Sequence, residues 1–199
     1  MKIAGNFRAN EWGAMRTRLN ADDATAWEEA VMLLRERIGG RYLKHARELL
    51  NRPYSGFAIL AIDCAVIEAL EQFRKGVPST PRRKSGEFFR DFFVTTRFKR
   101  FFTAKTSKLF YETVRCGILH QAESNADTLV KRSTTSFVVK QTPSGTGVVI
   151  NSRRFHEILE TVLEDYISKL LAGDVTLRKA FITKMNYITR SEPDSGAVE

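Results

Sequence analysis

Residues Tyr54 to Lys75 read YSGFAILAIDCAVIEALEQFRK. The apolar side chains of this stretch repeat with the 3.6-residue period of an α-helix, and the stripe that they form is wide enough for a helix inside a protein core. The stripe consists of Phe57, Leu60, Ile62, Val66, Ile67, Leu70 and Phe73. Gly76 and Pro78 end the segment. The stretch therefore predicts a core helix against which the rest of the chain packs.

Upstream of this stretch, the pattern predicts a further long helix from about Ala24 to Leu50. Asp22 or Asp23 is predicted to cap the N-terminus of this helix. The helix ends before Pro53, because the residue before a proline avoids the α conformation. Gly39 and Gly40 are predicted to break this helix in two. Residues 1–20 carry mixed side chains with several arginines, and we expect them to form a loosely docked N-terminal arm.

Downstream, residues 87–102 are dense in phenylalanine, interleaved with basic residues. The phenylalanines are Phe88, Phe89, Phe92, Phe93, Phe98, Phe101 and Phe102. Phenylalanine at these spacings is more typical of a core than of a platform on which nucleic-acid bases stack, although both interpretations stay open. A further helix is predicted from about Ala104 to Glu123.

The periodicity changes after that helix. Two β-branched runs within residues 135–151 flank a turn sequence, which is the pattern of a β-hairpin. Asn151 or Ser152 then caps a helix that runs to about Leu171, and a last helix follows at residues 175–190. We expect residues 191–199 to be a disordered tail. The fold class is predicted as mostly α, one helical bundle over residues 21–190 with a small inserted β-hairpin.

The composition restricts the class of protein. The chain has 199 residues, 43% of them hydrophobic, which favours a packed globule over disorder. Its formal net charge of +9 favours nucleic-acid phosphates or an anionic membrane as partner. No signal peptide and no membrane-spanning stretch is evident, so a soluble cytoplasmic protein without a membrane partner is expected. The cysteines Cys64 and Cys116 lie in apolar helical runs and are expected to be free thiols.

The run FYETVRCGILH, from Phe110 to His120, carries the candidate chemistry. Arg115 supplies a permanent cation, and His120 supplies a group that titrates near neutral pH. Together they can stabilise a phosphorane and move its protons without a metal ion. On an α-helix the two residues lie about 140° apart in azimuth and about 7.5 Å apart along the axis, which favours a site shared between two chains. The alternative is that Arg115 is an exposed charge and that His120 caps the helix.

This run resembles the Arg-(four to six residues)-His motif of the HEPN superfamily of small helical-bundle proteins. The order of helices over residues 25–125 is similar as well, including the segment from Ile62 to Phe73. The resemblance implies a HEPN-like bundle that dimerises to build one composite site from two motif helices. It implies a metal-independent endoribonuclease, frequently a toxin or a phage-defence effector, in which His120 is the general acid/base and Arg115 binds the scissile phosphate. It implies no cofactor; the expected partners are RNA, a second copy of the chain, and an antitoxin or other regulatory protein.

Several weaker candidates support the motif. Asp63, Glu68 and Glu71 are acidic residues of the core helix, and one of them can orient Arg115 or His120. Asp63, among apolar neighbours, is expected to be buried with a cationic partner, whereas Glu71 is as easily explained by a solvated face. Cys116 follows the motif arginine and is a further supporting candidate. His45 and His156 are expected at the surface, and no Cys/His cluster indicates a metal site.

The basic residues near the motif are the candidates for binding an RNA backbone. They are Arg82, Arg83, Lys84, Arg97, Lys99 and Arg100, and a solvated charged face explains them equally well. The sequence thus predicts an endoribonuclease. The alternative is a non-catalytic helical module that binds RNA or protein, and a purely structural adaptor would leave the excess of basic residues without a role.

Overall fold

The computed structural model describes residues 2–121, 124 and 127–190 of the chain. Most of these residues are helical, so the predicted mostly α class with a small β insertion is confirmed. The helices are α1 (Trp12–Asn20), α2 (Ala24–Leu34), α3 (Lys44–Leu49), α4 (Gly56–Lys75), α5 (Ser85–Thr95), α6 (Ala104–Leu109), α7 (Cys116–Gln121), α8 (Ser152–Leu171) and α9 (Val175–Thr189). The predicted tail at 191–199 lies outside the described residues.

The strands form two small sheets. β1 (Lys2–Ala4) pairs antiparallel with β2 (Phe7–Arg8). The second sheet contains β3 (Leu129–Lys131), β4 (Val139–Gln141) and β5 (Val148–Asn151), in the order β3-β5-β4. Across the described residues, no helix is long and apolar enough to cross a membrane.

Helix α4 is the predicted core helix and lies at the centre of the bundle. It packs against α3, α5, α8 and α9. Most of the predicted stripe is buried, but Phe57 is 36% exposed and Ile62 is half-buried, because the first turns of α4 lie near the surface. Gly76 ends it in the left-handed conformation with φ 64°, as a C-terminal glycine commonly does. A Cβ at Gly76 would lie 2.8 Å from Cα of Ala180, so glycine also permits the close approach of α9.

The prediction of a loosely docked arm at residues 1–20 is wrong. Trp12 is fully buried, and its indole N–H donates to Oδ1 of Asn186 in α9 at 2.7 Å. Met15 and Leu19, three and seven residues further along α1, are buried beside it. This helical spacing places one face of α1 in the core, where the burial of these large apolar side chains stabilises it.

The long helix predicted over 24–50 forms, and Asp23 caps it by accepting a hydrogen bond from the Ala26 amide at 3.1 Å. Gly39 and Gly40 do not break it, contrary to the prediction. They lie in a π-helical segment, Arg35–Leu43, that joins α2 to α3, and the Lys44 amide bonds to the carbonyl of Gly39 five residues back. The wider turn keeps the backbone hydrogen-bonded through the two glycines.

The phenylalanines form the core, as predicted, with the exception of Phe101, which is 37% exposed. Phe93 stacks on Phe102 with ring centres 4.0 Å apart, and Phe110 stacks on Phe155 at 5.1 Å. These contacts join α5, α8 and the segment that carries the motif. The motif segment therefore packs against a rigid layer of aromatic side chains.

The predicted hairpin at 135–151 is confirmed: β4 and β5 pair antiparallel, with Val139 opposite Ile150. The parallel pairing of β3 with β5 was not predicted. Asn151 occupies the position before α8 but does not cap it through its side chain, which instead donates to the carbonyls of Ser133 and Thr135 at 3.1 Å. These two hydrogen bonds of Asn151 hold the loop after β3 against the start of α8.

Candidate functional site

The candidate motif spans a change of helix type. Residues Phe110–Arg115 are π-helical and are followed directly by α7, so Arg115 lies at the junction. The Cys116 amide bonds to the carbonyl of Tyr111, five residues back. Such π-turns within a longer helix occur frequently at functional sites. His120 belongs to α7, and its side chain lies outside the described part of the structure.

Arg115 is not an exposed charge. Its side chain is 16% exposed, and Nη2 donates to Oε2 of Glu68 in α4 at 3.2 Å. The guanidinium carbon lies 5.6 Å from the ring centre of Tyr111, in the range of a cation–π contact. Burial lowers the pKa of Arg115, but the hydrogen bond to Glu68 and the nearby negative charge outweigh it and raise the pKa, so the group stays cationic.

One nitrogen of this guanidinium has no hydrogen-bond partner in the part of the chain that the structure describes. Nε of Arg115 is buried and makes no hydrogen bond to any described residue. A buried N–H without an acceptor is unfavourable, by about 1–3 kcal/mol. Together with the terminal nitrogens, Nε belongs to a planar fork of donors whose geometry matches a phosphate or a carboxylate. The arrangement can therefore take an anion.

Glu68 connects its own helix, α4, to α5 and to the motif segment. Its second carboxylate oxygen accepts a hydrogen bond from the hydroxyl of Ser85, the first residue of α5, at 3.1 Å. Of the three acidic candidates in α4, Glu68 is the one placed against Arg115. The contact holds the guanidinium in one position, because Glu68 and Arg115 both belong to helical segments that are packed in the bundle.

Tyr111 and Ser85 belong to this site and were not predicted from the sequence. The Tyr111 ring lies against the Arg115 guanidinium and 5.6 Å from the ring centre of Phe89. The signal for Tyr111 was present, since it precedes Arg115 by four residues and so lies near it along the helix. Ser85 had no such signal, because its contact with Glu68 joins residues 17 apart in the sequence.

Asp63 is buried with a cationic partner, as predicted, but the partner is His156 and not Arg115 or His120. Oδ1 of Asp63 lies 2.8 Å from Nδ1 of His156, and both side chains are fully buried. The prediction that His156 is a surface residue is therefore wrong. Its Nε2 lies 3.3 Å from Oε1 of Glu160, which also accepts from Arg47 at 2.8 Å. Asp63 supports the fold between α4 and α8 and does not contact the described part of the motif site.

The solvated position considered for Glu71 is also wrong. Its side chain is 4% exposed and pairs with Nη1 of Arg74 at 2.7 Å. Burial raises the pKa of Glu71, with the neighbouring cations opposing the effect. Glu71 thus belongs to a structural ion pair at the C-terminal end of α4.

The basic candidates separate into two sets. Arg82, Arg83 and Lys84 are exposed on the loop that ends at Ser85, directly beside the Glu68–Arg115 pair. The second set lies past the other end of α5, about 15 Å along that helix. It consists of Arg97, Lys99 and Arg100, which line a separate cleft of about 490 Å³. Arg97 is held there by Asp165 at 2.8 Å.

Cys64 is buried, Cys116 is half-buried, and both are free thiols, as expected. Within the described ranges, no three side chains of His, Cys, Asp and Glu are grouped to hold a metal ion.

No protein-family model matches the chain, and searches of curated proteins and of solved structures find no significant match.

The buried Asp63–His156 pair makes stability depend on pH. Burial lowers the pKa of His156, but the hydrogen bond to Asp63 and the negative charges of Asp63 and Glu160 outweigh it and raise the pKa to about 9. The folded state thus keeps a proton that the unfolded state releases near pH 6.5. This contribution to stability is complete below pH 6.5 and is lost as the pH rises through 9. Burial also raises the pKa of Asp63 to about 6, which offsets part of the contribution above that pH. Urea unfolding between pH 6 and pH 9.5 measures it.

The double variant Asp63→Asn with His156→Gln removes both charges and keeps a polar contact, so it avoids leaving one buried charge alone. We expect its stability to vary much less than that of the wild type across this pH range. His45→Gln, at an exposed histidine, is the control and keeps the wild-type profile. A double variant that loses stability with pH as steeply as the wild type would show that His156 does not carry the effect.

Proposed function

We propose that this protein is a metal-independent endoribonuclease of the HEPN type, acting as a toxin or a phage-defence effector. Arg115 binds the scissile phosphate, and His120 moves the protons. The observation that carries the proposal is the state of Arg115. Its guanidinium is half-buried and held by Glu68 and Tyr111, and its buried Nε has no hydrogen-bond partner among the described residues. A cation that is fixed in place before the substrate arrives stabilises the charge of a transition state better than a mobile one.

The proposed reaction needs no group outside the chain and its substrate. The ribose 2′-oxygen attacks the adjacent phosphorus and loses its proton to one imidazole. The bond from phosphorus to the 5′-oxygen breaks, and that oxygen takes a proton from a second imidazole. The products are a 2′,3′-cyclic phosphate and a 5′-hydroxyl. Arg115 neutralises the charge that develops on the non-bridging oxygens.

The proposed reaction uses two imidazoles, and the motif of one chain supplies only one histidine. The site therefore needs the motifs of two chains. Arg115 ends the π-helical segment, and His120 follows five residues later in α7. On an α-helix this spacing corresponds to about 140° in azimuth. A second motif helix facing the first brings His120 of one copy towards Arg115 of the other. We therefore propose a homodimer with a composite site, whose mass in light scattering is twice 22.7 kDa.

The loop before α5 is the proposed path for the RNA strand. Its exposed residues Arg82 and Arg83 make no described ion pair, whereas Lys84 pairs with Glu87 at 2.6 Å. The loop ends at Ser85, which touches Glu68. A phosphate on Arg115 therefore places the neighbouring phosphates of the strand close to this loop.

The proposal is tested by cleavage of a mixed pool of structured and single-stranded RNAs in excess EDTA. The wild type is expected to produce fragments with 2′,3′-cyclic phosphate ends. His120→Ala and Arg115→Ala should each lower the rate by at least about 100-fold, the range for removing a general acid/base or a transition-state contact. His45→Ala is the matched control and should cleave like the wild type.

Binding of the same RNAs is measured in parallel by fluorescence anisotropy. His120→Ala should bind within about twofold of the wild type, because its imidazole acts in the chemical step. A wild-type protein that binds RNA but leaves every RNA intact is the outcome for the non-catalytic module, and the ribonuclease is then abandoned. A monomer in light scattering would contradict the composite site.

The proposed strand path predicts a change in salt dependence. Arg82→Ala with Arg83→Ala removes two phosphate contacts, so the slope of log K against log[salt] should become shallower by about 1.4 for a single strand. Lys99→Ala with Arg100→Ala, which removes the same charge at the far end of α5, is the control and should change the slope by less than half as much. Equal changes in both variants would indicate a diffuse electrostatic attraction without the proposed path.

A further inference from the structure

A second basic cleft lies away from the motif, between the π-helical segment Arg35–Leu43, α4 and α9. Its volume is about 500 Å³, within the range of small-molecule sites. The apolar part of the wall comes from Ile38, Ala69, Phe73 and Ile188, with the rings of Tyr42 and Tyr187 beside them. The charged part consists of Lys2, Arg37, Arg41, Lys184 and Arg190. No carboxylate belongs to the described wall.

Lys184 is the deepest of these cations. The residue is 6% exposed, and its ammonium donates to Oε1 of Gln72 at 2.7 Å and to the carbonyl of Pro78. An ammonium has three N–H donors, so one is left after these two bonds, and Nζ also lies 5.3 Å from the ring centre of Tyr187. Burial is the main reason that the pKa of Lys184 falls to about 8, and the charge of Arg37 adds to it.

Arg37 faces the same cleft. Its Nη1 donates to the carbonyl of Ile3 at 2.9 Å, and no carboxylate pairs with it in the described residues. Burial lowers the pKa of Arg37 as well, with the neighbouring Arg41 as the next cause. Two desolvated cations thus repel each other across the cleft.

Several other poorly exposed cations among the described residues pair with a carboxylate. Arg115 pairs with Glu68, Arg74 with Glu71, and Arg178 with Asp22. A buried cation is stable when an anion offsets its desolvation. A multiply charged anion in the cleft would offset the desolvation of both Arg37 and Lys184.

We propose that this cleft binds a phosphorylated small molecule of the nucleoside phosphate class. Arg37 and Lys184 hold the phosphates at the base, and Lys2, Arg41 and Arg190 complete the charge at the rim. Tyr187 offers a ring face for stacking, since it is 54% exposed, and the apolar wall suits the nucleoside. The site is independent of the proposed ribonuclease, because it shares no residue with the Arg115 site.

The test is isothermal titration of the full chain with ADP, AMP, inorganic pyrophosphate and adenosine. We expect ADP to bind most tightly, pyrophosphate and AMP at least tenfold more weakly, and adenosine not detectably at 1 mM. Lys184→Met and Arg37→Met should each weaken ADP binding by at least tenfold. Lys179→Met, on the exposed surface of α9, is the control and should bind like the wild type.

The ligand-free stability of Lys184→Met provides a second readout. Because the substitution removes an unneutralised buried charge, its midpoint of thermal unfolding should equal or exceed that of the ligand-free wild type. Should this variant fail to fold, Arg41→Gln with Arg190→Gln changes only exposed rim residues and should weaken ADP binding by at least threefold. Retention of full ADP affinity in the rim variant overturns the proposal.

Three further outcomes would also overturn it. The first is that neither ADP nor pyrophosphate binds the full chain at 1 mM. The second is that they bind only after deletion of residues 191–199, which contain Glu192, Asp194 and Glu199; the cleft would then be occupied by the chain's own acidic segment. The third is that Arg115→Ala abolishes ADP binding, which would assign the ligand to the motif site. Failure of RNA cleavage leaves these titrations unaffected, so the two proposals fail separately.

Discussion

The buried pair of Asp63 and His156 is the constraint on which the arrangement of the sites depends. Two charged groups in a core are stable only when their geometry is kept, so the 2.8 Å contact fixes how α4 lies along α8. Glu68 follows Asp63 by five residues on the same helix, and Gln72 follows by nine. Fixing α4 therefore also fixes the carboxylate that holds Arg115 and the amide that accepts from Lys184.

The motif site and the basic cleft are physically connected through one loop. Gln72 also donates to the hydroxyl of Thr80 at 2.9 Å, and the backbone of Pro78 accepts from Lys184. The same loop continues through Arg82 and Arg83 to Ser85, which contacts Glu68. Residues 77–85 thus touch the cleft at one end and the candidate catalytic site at the other. An anion that binds Lys184 changes the charge next to this loop.

Local patterns were sufficient to predict the core helix, the aromatic core, the hairpin and the burial of Asp63. Each of these depends on residues close together in the sequence, or on one polar residue among apolar neighbours. The identity of the partner of Asp63 was not predictable in the same way, because His156 lies 93 residues away. A signal did exist, since His156 precedes Leu159 and Leu163 by three and seven residues and so shares their buried face. In α1, Met15 and Leu19 follow Trp12 by three and seven residues, and this spacing likewise indicates a buried helix face.

The π-helical segments account for other differences between expectation and structure. Propensity predicts a break at Gly39–Gly40, but tertiary packing of Ile38 and Leu43 holds the helix together through a wider turn. The segment Phe110–Arg115 has the same character, and no sequence rule marks it. Its effect on the site is direct, since it sets the direction in which Arg115 leaves the helix towards Glu68.

A double-mutant cycle between Glu68 and Arg115 tests most directly whether the held guanidinium is the centre of the chemistry. Single-turnover cleavage rates in EDTA are compared for the wild type, Glu68→Gln, Arg115→Lys and the double variant. If Glu68 acts by positioning Arg115, each single variant is at least tenfold slower and the double variant is no slower than the slower single one. Losses that multiply in the double variant would show that the two residues act independently, and would contradict the role given to Glu68.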